Sequence, residues 1–349
     1  MSIKYNGGYI PAVGADGTTL VADSSTSTGL RYNPTTGNLN FVINGGFDIW
    51  QRSTSSSANG YATADRWNRD ANACTTSQQT TGAPNGSRYV LRNTFTSASS
   101  AYATQLYFME TADASRLWGQ TVTLSVKLRR SSGMASNLQL YLRKNATVDA
   151  GPATGSWATI SFITISNASL PTGTTSADWY TATITATIPN DGTANSLNFF
   201  VATVSEPGNG SYWEMAQAKL EIGSVATTFS RAGGTLQGEL AACQRYYWQS
   251  PSTVAYTPYG FGSFISTTVF QAPVKLPVSM RIIPTLATSN ALAAVNASAA
   301  ALTSVSVVGA QSSVDIAYIS ASGTGTLNAP ATLANNNTSG GYLGLSAEL

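Results

Sequence analysis

The 349 residues contain no histidine. That absence removes the commonest general base, the Ser-His-Asp and Cys-His nucleophile pairs, and the usual zinc sites. Two cysteines are present, Cys74 and Cys243, far apart and outside any CxxC spacing. They form neither a metal knuckle nor a dense disulfide framework. Charge is scarce: Asp, Glu, Lys and Arg make up 10% of the chain, against about 25% in ordinary soluble domains. Net charge is +2, and Leu128-Arg129-Arg130 is the only basic cluster, which is poor material for a nucleic-acid footprint. No run of 18 or more apolar residues occurs, so no transmembrane helix or membrane insertion is expected. A basic start followed by an apolar run is missing as well, so no secretory signal is expected.

What is present is aromatic and hydroxylated. Aromatics reach 10%, with 7 Trp and 16 Tyr, so the composition is not that of a disordered chain. It favours a β-rich binding or structural protein and argues against an enzyme. Residues 1–40 read as an extended arm, rich in Gly, Ser, Thr and Asp, with the short apolar pieces Leu20-Val21-Ala22 and Leu30-Arg31-Tyr32 and a turn signal at Asn33-Pro34-Thr35-Thr36-Gly37-Asn38. Such a segment cannot bury a core and is either a linker or something that orders on a partner.

From residue 41 to 232 short alternating runs follow one another between Gly, Pro, Asn and Ser. Val122, Leu124, Val126 and Leu128 alternate with Thr121, Thr123, Ser125, Lys127 and Arg129. Leu138, Leu140 and Leu142 alternate with Gln139, Tyr141 and Arg143, and the pattern recurs through Ile160 and Phe162, then Ile184, Ala186 and Ile188, then Leu197, Phe199 and Val201. Period two with β-branched enrichment predicts half-buried antiparallel strands, arranged as a sandwich or jelly roll. One short helix is expected over Thr111–Trp118, stopped by Gly119, and a second over Leu236–Tyr246, with Leu236, Leu240 and Cys243 on one face. The expected architecture is all-β: arm 1–40, jelly roll 41–232, helical linker 233–248, C-terminal β domain 249–349. Strands are anticipated there at Phe264–Phe270, Ala299–Val308 and Val314–Ile319. After Trp248 the charges are Lys275, Arg281, Asp315 and Glu348 alone. A domain so poor in charge predicts association with copies of itself or with a partner.

Five ordered strings resemble bacteriophage virion proteins, chiefly tail fibre proteins that carry a jelly roll like a carbohydrate-binding module. They are Asn44-Gly45-Gly46-Phe47-Asp48-Ile49-Trp50-Gln51-Arg52, Tyr61-Ala62-Thr63-Ala64-Asp65-Arg66-Trp67, Gly119-Gln120-Thr121-Val122-Thr123-Leu124-Ser125-Val126, Leu220-Glu221-Ile222-Gly223-Ser224-Val225-Ala226-Thr227-Thr228-Phe229, and Glu239-Leu240-Ala241-Ala242-Cys243-Gln244-Arg245-Tyr246-Tyr247. The arm string from Leu20 to Arg31 is similar to phage fibre and collar sequences. The resemblance implies a virion protein of the tail, a homotrimer, anchored to other virion proteins through residues 1–40 and binding host cell-surface glycan. A head fibre or capsid decoration protein with the same module, or a glycan depolymerase, are the alternatives.

Trp157, Trp179 and Tyr180 follow turns and are the candidate glycan-stacking aromatics; the competing reading is a buried aromatic at a strand start. Trp50 and Trp67 are expected in the core. The resemblance also implies that Asp48 and Glu214 could approach a structural calcium, as in jelly rolls that open with Asn-Gly-Gly-Phe-Glu. Ion pairs with arginines such as Arg52 are the other reading, and no other cofactor is expected. A glycosidase needs two carboxylates about 5–10 Å apart. The 16 Asp and Glu are scattered, and Glu110 with Asp113 reads as a helix start, so no catalytic residue is expected.

Overall fold

The computed structural model describes residues 39–250, 254–296, 298–337 and 341–349, together with four short strands before them. Those strands, Lys4–Tyr5 with Gly8–Tyr9 and Thr18–Ala22 with Leu30–Pro34, pair antiparallel. The rest of the expected arm up to residue 38 lies outside the described residues, and Asn40 at its end is buried in the sandwich. The chain divides into two compact units, Met1–Leu236 and Gln237–Leu349.

The first unit is a two-sheet antiparallel sandwich, and the whole chain is all-β apart from short helices. One sheet has six strands in the order Tyr180–Thr187, Thr121–Arg130, Tyr212–Ile222, Val90–Phe95, Cys74–Gln79 and Ser55–Ser56. The other has five, in the order Ala158–Ile165, Leu138–Asn145, Ser196–Thr203, Tyr102–Met109 and Trp67–Asn72. The period-two pattern explains the layering. Val122, Leu124, Val126 and Leu128 point inward with no exposed surface, as do Leu138, Leu140 and Leu142 opposite them. Trp67 fills the centre, with ring centroids 4.9 Å from Phe47, 5.5 Å from Tyr107 and 5.6 Å from Phe199. Trp50 is half-buried at the edge of this core, and its indole N–H donates to the Phe47 carbonyl at 2.6 Å.

The Asn-Gly-Gly-Phe string forms a tight turn built around Asn44, which is fully buried. The Asn44 amide donates to the carbonyls of Ile49 and Asp65, and its side-chain oxygen accepts from the Ile49 N–H at 3.0 Å. Gly45 is required there: a Cβ would stand 2.0 Å from the Ala218 carbonyl oxygen. The first helix is shorter than its pattern predicts. An α-turn, Thr111–Ala114, passes into a 3-10 turn, Ser115–Leu117, and Gly119 ends it at φ 74°. Asp113 meets Arg116 one turn on at 3.8 Å, in keeping with a helix-start role.

The second unit opens on the helix Leu236–Gln244. Its buried residues are Glu239 and Cys243, whereas the expected contact residue Leu236 is 41% exposed. Ala241 and Ala242 beside Cys243 leave no strong apolar stripe, so packing selects the i, i+4 pair. Six strands then close an antiparallel barrel in the order Pro258–Phe264, Val269–Lys275, Ile316–Ser322, Ala299–Val307, Leu292–Val295 and Pro330–Asn335. A three-stranded sheet, Tyr247–Gln249, Tyr342–Ser346 and Thr285–Asn290, completes the unit. The expected single strand Phe264–Phe270 is instead a hairpin. Ser266 supplies the reason: its hydroxyl accepts from the N–H groups of Thr268 and Val269 and folds the chain back. Phe264, Phe270, Val274, Ile319 and Leu333 fill the barrel, while Phe261 stands 77% exposed on its outside.

Candidate functional site

The outer face of the six-stranded sheet is hydroxylated. Thr121 and Thr123 face Thr187 and Thr185 across the strand pair, with hydroxyl oxygens 3.3 and 3.1 Å apart, and Lys127 reaches the Thr181 hydroxyl at 3.3 Å. At one end of this face, three loops flank an open groove of about 560 Å³. Its floor is Ser125, Lys127, Thr181 and Gln217; Pro84 and Asn85, Ser176 and Ala177, and Ala226–Phe229 form the walls.

Gln217 reaches the groove because the strand is bulged. Ser125 pairs with Lys219 but Lys127 pairs with Ala216, so one extra residue is accommodated, and Gln217 takes φ 50°. Bulges of this kind re-aim a side chain, and here the Gln217 amide donates to the Asn85 carbonyl at 2.7 Å. Buried cations pin the other walls. Lys219, almost fully buried, donates to the Thr228 carbonyl at 2.9 Å and pairs with buried Glu221 at 3.1 Å. Arg129 lies on the outward phase of its strand yet is 1% exposed, because the two loops cover it. It donates to the carbonyls of Gly82 and Thr175, each at 3.0 Å, and so ties the two loops together. On the exposed side of the same loop, the Asp178 carboxylate accepts from the N–H and hydroxyl of Thr175 at 2.8 and 2.7 Å, and these bonds hold its pKa below the ordinary carboxylate value.

The expected site residues scatter around this geometry. Trp179 is half-buried in the wall behind the groove: its indole N–H donates to the Gly82 carbonyl at 3.1 Å, and the Arg129 guanidinium lies 4.3 Å from its ring. Tyr180 pairs with Leu128, so its ring turns to the inside and packs on the core. Trp157 precedes the edge strand of the other sheet, where its ring meets Phe108 at 5.6 Å and its carbonyl accepts from Arg143. The strand registers put Trp157 and the Trp179-Tyr180 pair at opposite ends of the sandwich. They do not make one platform.

Asp48 and Glu214 both meet arginines, though not Arg52, which pairs with Asp65 at 3.4 Å. Asp48 accepts from Arg231 at 2.7 Å. Glu214, fully buried, accepts from Arg92 at 2.7 Å through one oxygen and from Arg129 through the other. Calcium needs six to eight oxygen ligands. Both Glu214 oxygens are turned to guanidinium groups, so Glu214 is not free to act as a calcium ligand, whereas Asp48 keeps one buried carboxylate oxygen without a hydrogen-bond partner. No cluster of three or more His, Cys, Asp or Glu occurs among the described residues.

The outer face of the five-stranded sheet differs in kind. Phe162, Tyr141 and Phe200 sit side by side on three adjacent strands. Their rings stack at 4.9 and 4.7 Å, with interplanar angles of 9° and 16°. Sequence reading names neither this stack nor the groove. The signals are present: Lys127 and Ser125 occupy the outward phase of a recognised strand, and Tyr141 occupies the outward phase of another.

No protein-family model matches the chain, and no curated protein does. Solved structures resemble it only distantly. The enzymatically active domain of tailspike protein 4 from bacteriophage CBA120 is 12% identical over 53% of this chain, with a TM-score of 0.34. The match spans 21% of that tailspike chain. The C-terminal family 22 carbohydrate binding module of Clostridium thermocellum Xyn10B is 17% identical over 49% of this chain and all of its own, at 0.31. A Stig cyclase from Fischerella is 13% identical over 54% of this chain and all of its own, at 0.33. Sugar-binding modules and a cyclase thus stand at equal distance, and chemistry has to be argued from the site itself.

Proposed function

We propose that the sandwich is a non-catalytic glycan-binding module and that the chain is a virion surface protein of the tail fibre type. The observation that carries the binding reading is the groove, whose floor residue Gln217 is delivered by a bulge and whose walls are pinned by buried Arg129 and Lys219. Hydroxyls of Ser125, Thr181 and Thr228, the Asn85 amide and the side-chain oxygen of Gln217 can exchange hydrogen bonds with sugar hydroxyls. Phe229 offers an apolar face to sugar C–H groups. Each site need bind only at about millimolar, near −4 kcal/mol, if several copies act together on one particle.

The virion assignment rests on the five sequence strings, and the same strings suit a head fibre or capsid decoration protein. Self-association as a homotrimer is supported by the second unit: it carries exposed Phe261, Ile265, Ile316 and Leu327, and its sequence after Trp248 holds four charges. Anchoring to other virion proteins falls to residues 1–40. Glycan microarrays with full-length protein test the binding reading; Phe229→Ala should lower the signal about tenfold with the far-ultraviolet circular dichroism unchanged. Static light scattering should give three times the 36.3 kDa of one chain. A fall in polymer viscosity on incubation would instead make the protein a depolymerase. Density for the chain on the head of an intact particle would replace the tail assignment.

A further inference from the structure

We infer that the groove selects an anionic glycan, one whose sugar rings carry carboxylates; this rests on the glycan-binding reading above. The observation is the distribution of charge around the groove. Among its lining residues Lys127 is the only ionisable side chain, and no carboxylate faces the cavity. Two of the acids close by are paired with cations: Glu214 lies beneath two arginines and Glu221 is buried against Lys219. Asp178 keeps its charge but turns its carboxylate to the Thr175 N–H and hydroxyl and is not among the lining residues.

The Lys127 amine is held at the floor by the Thr181 hydroxyl, 3.3 Å away on the neighbouring strand. A hydroxyl does not neutralise an ammonium group, so the positive charge remains available to a ligand. Low-dielectric walls around a cleft concentrate such a field. The other lining groups are neutral hydroxyls, amides and one ring, which read the body of a sugar without regard to charge. Discrimination by charge therefore falls to Lys127 alone. Phe229 favours a ring-shaped residue over a flexible polyol phosphate, because a pyranose presents a flat C–H face to an aromatic ring. The resulting specificity is a hexuronate-type polysaccharide.

The test is isothermal titration of full-length protein with tetrasaccharides of galacturonate, alginate and hyaluronan, against xylotetraose and cellotetraose, each at low and at 0.5 M salt. A phosphorylated oligosaccharide is included to separate carboxylate from phosphate. We expect at least one acidic tetrasaccharide to bind about tenfold or more tightly than either neutral one, the size of a hydrogen bond to a charged group. The advantage should shrink at high salt. Lys127→Gln should abolish it, Lys127→Arg should retain most of it, and both variants should melt as the wild type does. Equal binding of acidic and neutral ligands, or no effect of Lys127→Gln, would overturn the inference and leave glycan binding standing. Preference for the phosphorylated ligand would overturn the carboxylate assignment. If no saccharide of either kind binds, the inference and the glycan-binding reading both fall.

Discussion

The two outer faces of the sandwich are built from the same alternating strands and reach opposite solutions. On the six-stranded side the outward phase carries Ser, Thr and Lys, and loops fold over it, anchored by buried Arg129, Lys219 and Gln217. On the five-stranded side the outward phase carries Phe162, Tyr141 and Phe200, which cover one another by stacking. One face is organised by charge taken out of water, the other by aromatic contact left partly in water. The difference bears on use. In the stack only the middle ring, Tyr141, has both faces covered, and Phe162 at its outer end stays half exposed, whereas the hydroxylated face offers polar groups walled in by loops.

Removing a buried charge should have the largest effect. Arg129→Ala leaves Glu214 buried with a single arginine partner and unties the loops at Gly82 and Thr175. Breaking a buried pair costs about 3–5 kcal/mol, and for a unit of this size each kcal/mol lowers the melting temperature by roughly 2–4 °C. Calorimetry should show that drop together with loss of ligand binding. Tyr141→Ala removes two stacked contacts at about 0.5–1.5 kcal/mol each and should leave groove binding intact. If it costs more than Arg129→Ala, the contrast between the faces is wrong. Phe162→Ala removes one contact from the outer end of the stack and should cost about 1 kcal/mol.

The smallest effect is a response to pH. The Thr175 bonds hold the Asp178 carboxyl below its ordinary pKa, so the loop gains stability from it above the unfolded value and loses that gain as pH falls through the lowered one. Protection of the Thr175 amide against hydrogen exchange, relative to the intrinsic rate at each pH, should hold at neutral pH and be lost only in acid. Loss of protection beginning near neutral pH would mean that another group holds the loop.

Strand positions in the sandwich were readable because Val122 to Leu128 and Leu138 to Leu142 alternate cleanly against hydroxyls and charges. The same alternation held the answer for Tyr180, whose place opposite Leu128 sends it inward, but the pairing partner is not written in the local sequence. The groove was invisible for a similar reason. Gln217, Lys127, Asn85 and Phe229 are distant in sequence and meet only through the bulge and the loop anchors. The arginine partners of Asp48 and Glu214 were anticipated in kind and mistaken in identity, since Arg231 lies 183 positions from Asp48. The Phe264–Phe270 hairpin was missed because a serine can turn a chain without glycine or proline.

Each unit is also closed by its own ends. In the sandwich the Phe41 N–H donates to the Leu220 carbonyl, and the Asn40 amide donates to the carbonyls of Ala218 and Ser230. In the barrel the first strand, Pro258–Phe264, pairs with the last, Pro330–Asn335. Contacts so far apart along the chain slow folding, because the loop-closure entropy is paid before they form. During synthesis the sandwich can therefore seal only once residue 230 has left the ribosome, and the barrel only once residue 335 has. A premature stop inside either unit would release an unsealed sheet with an open edge, the species most exposed to aggregation.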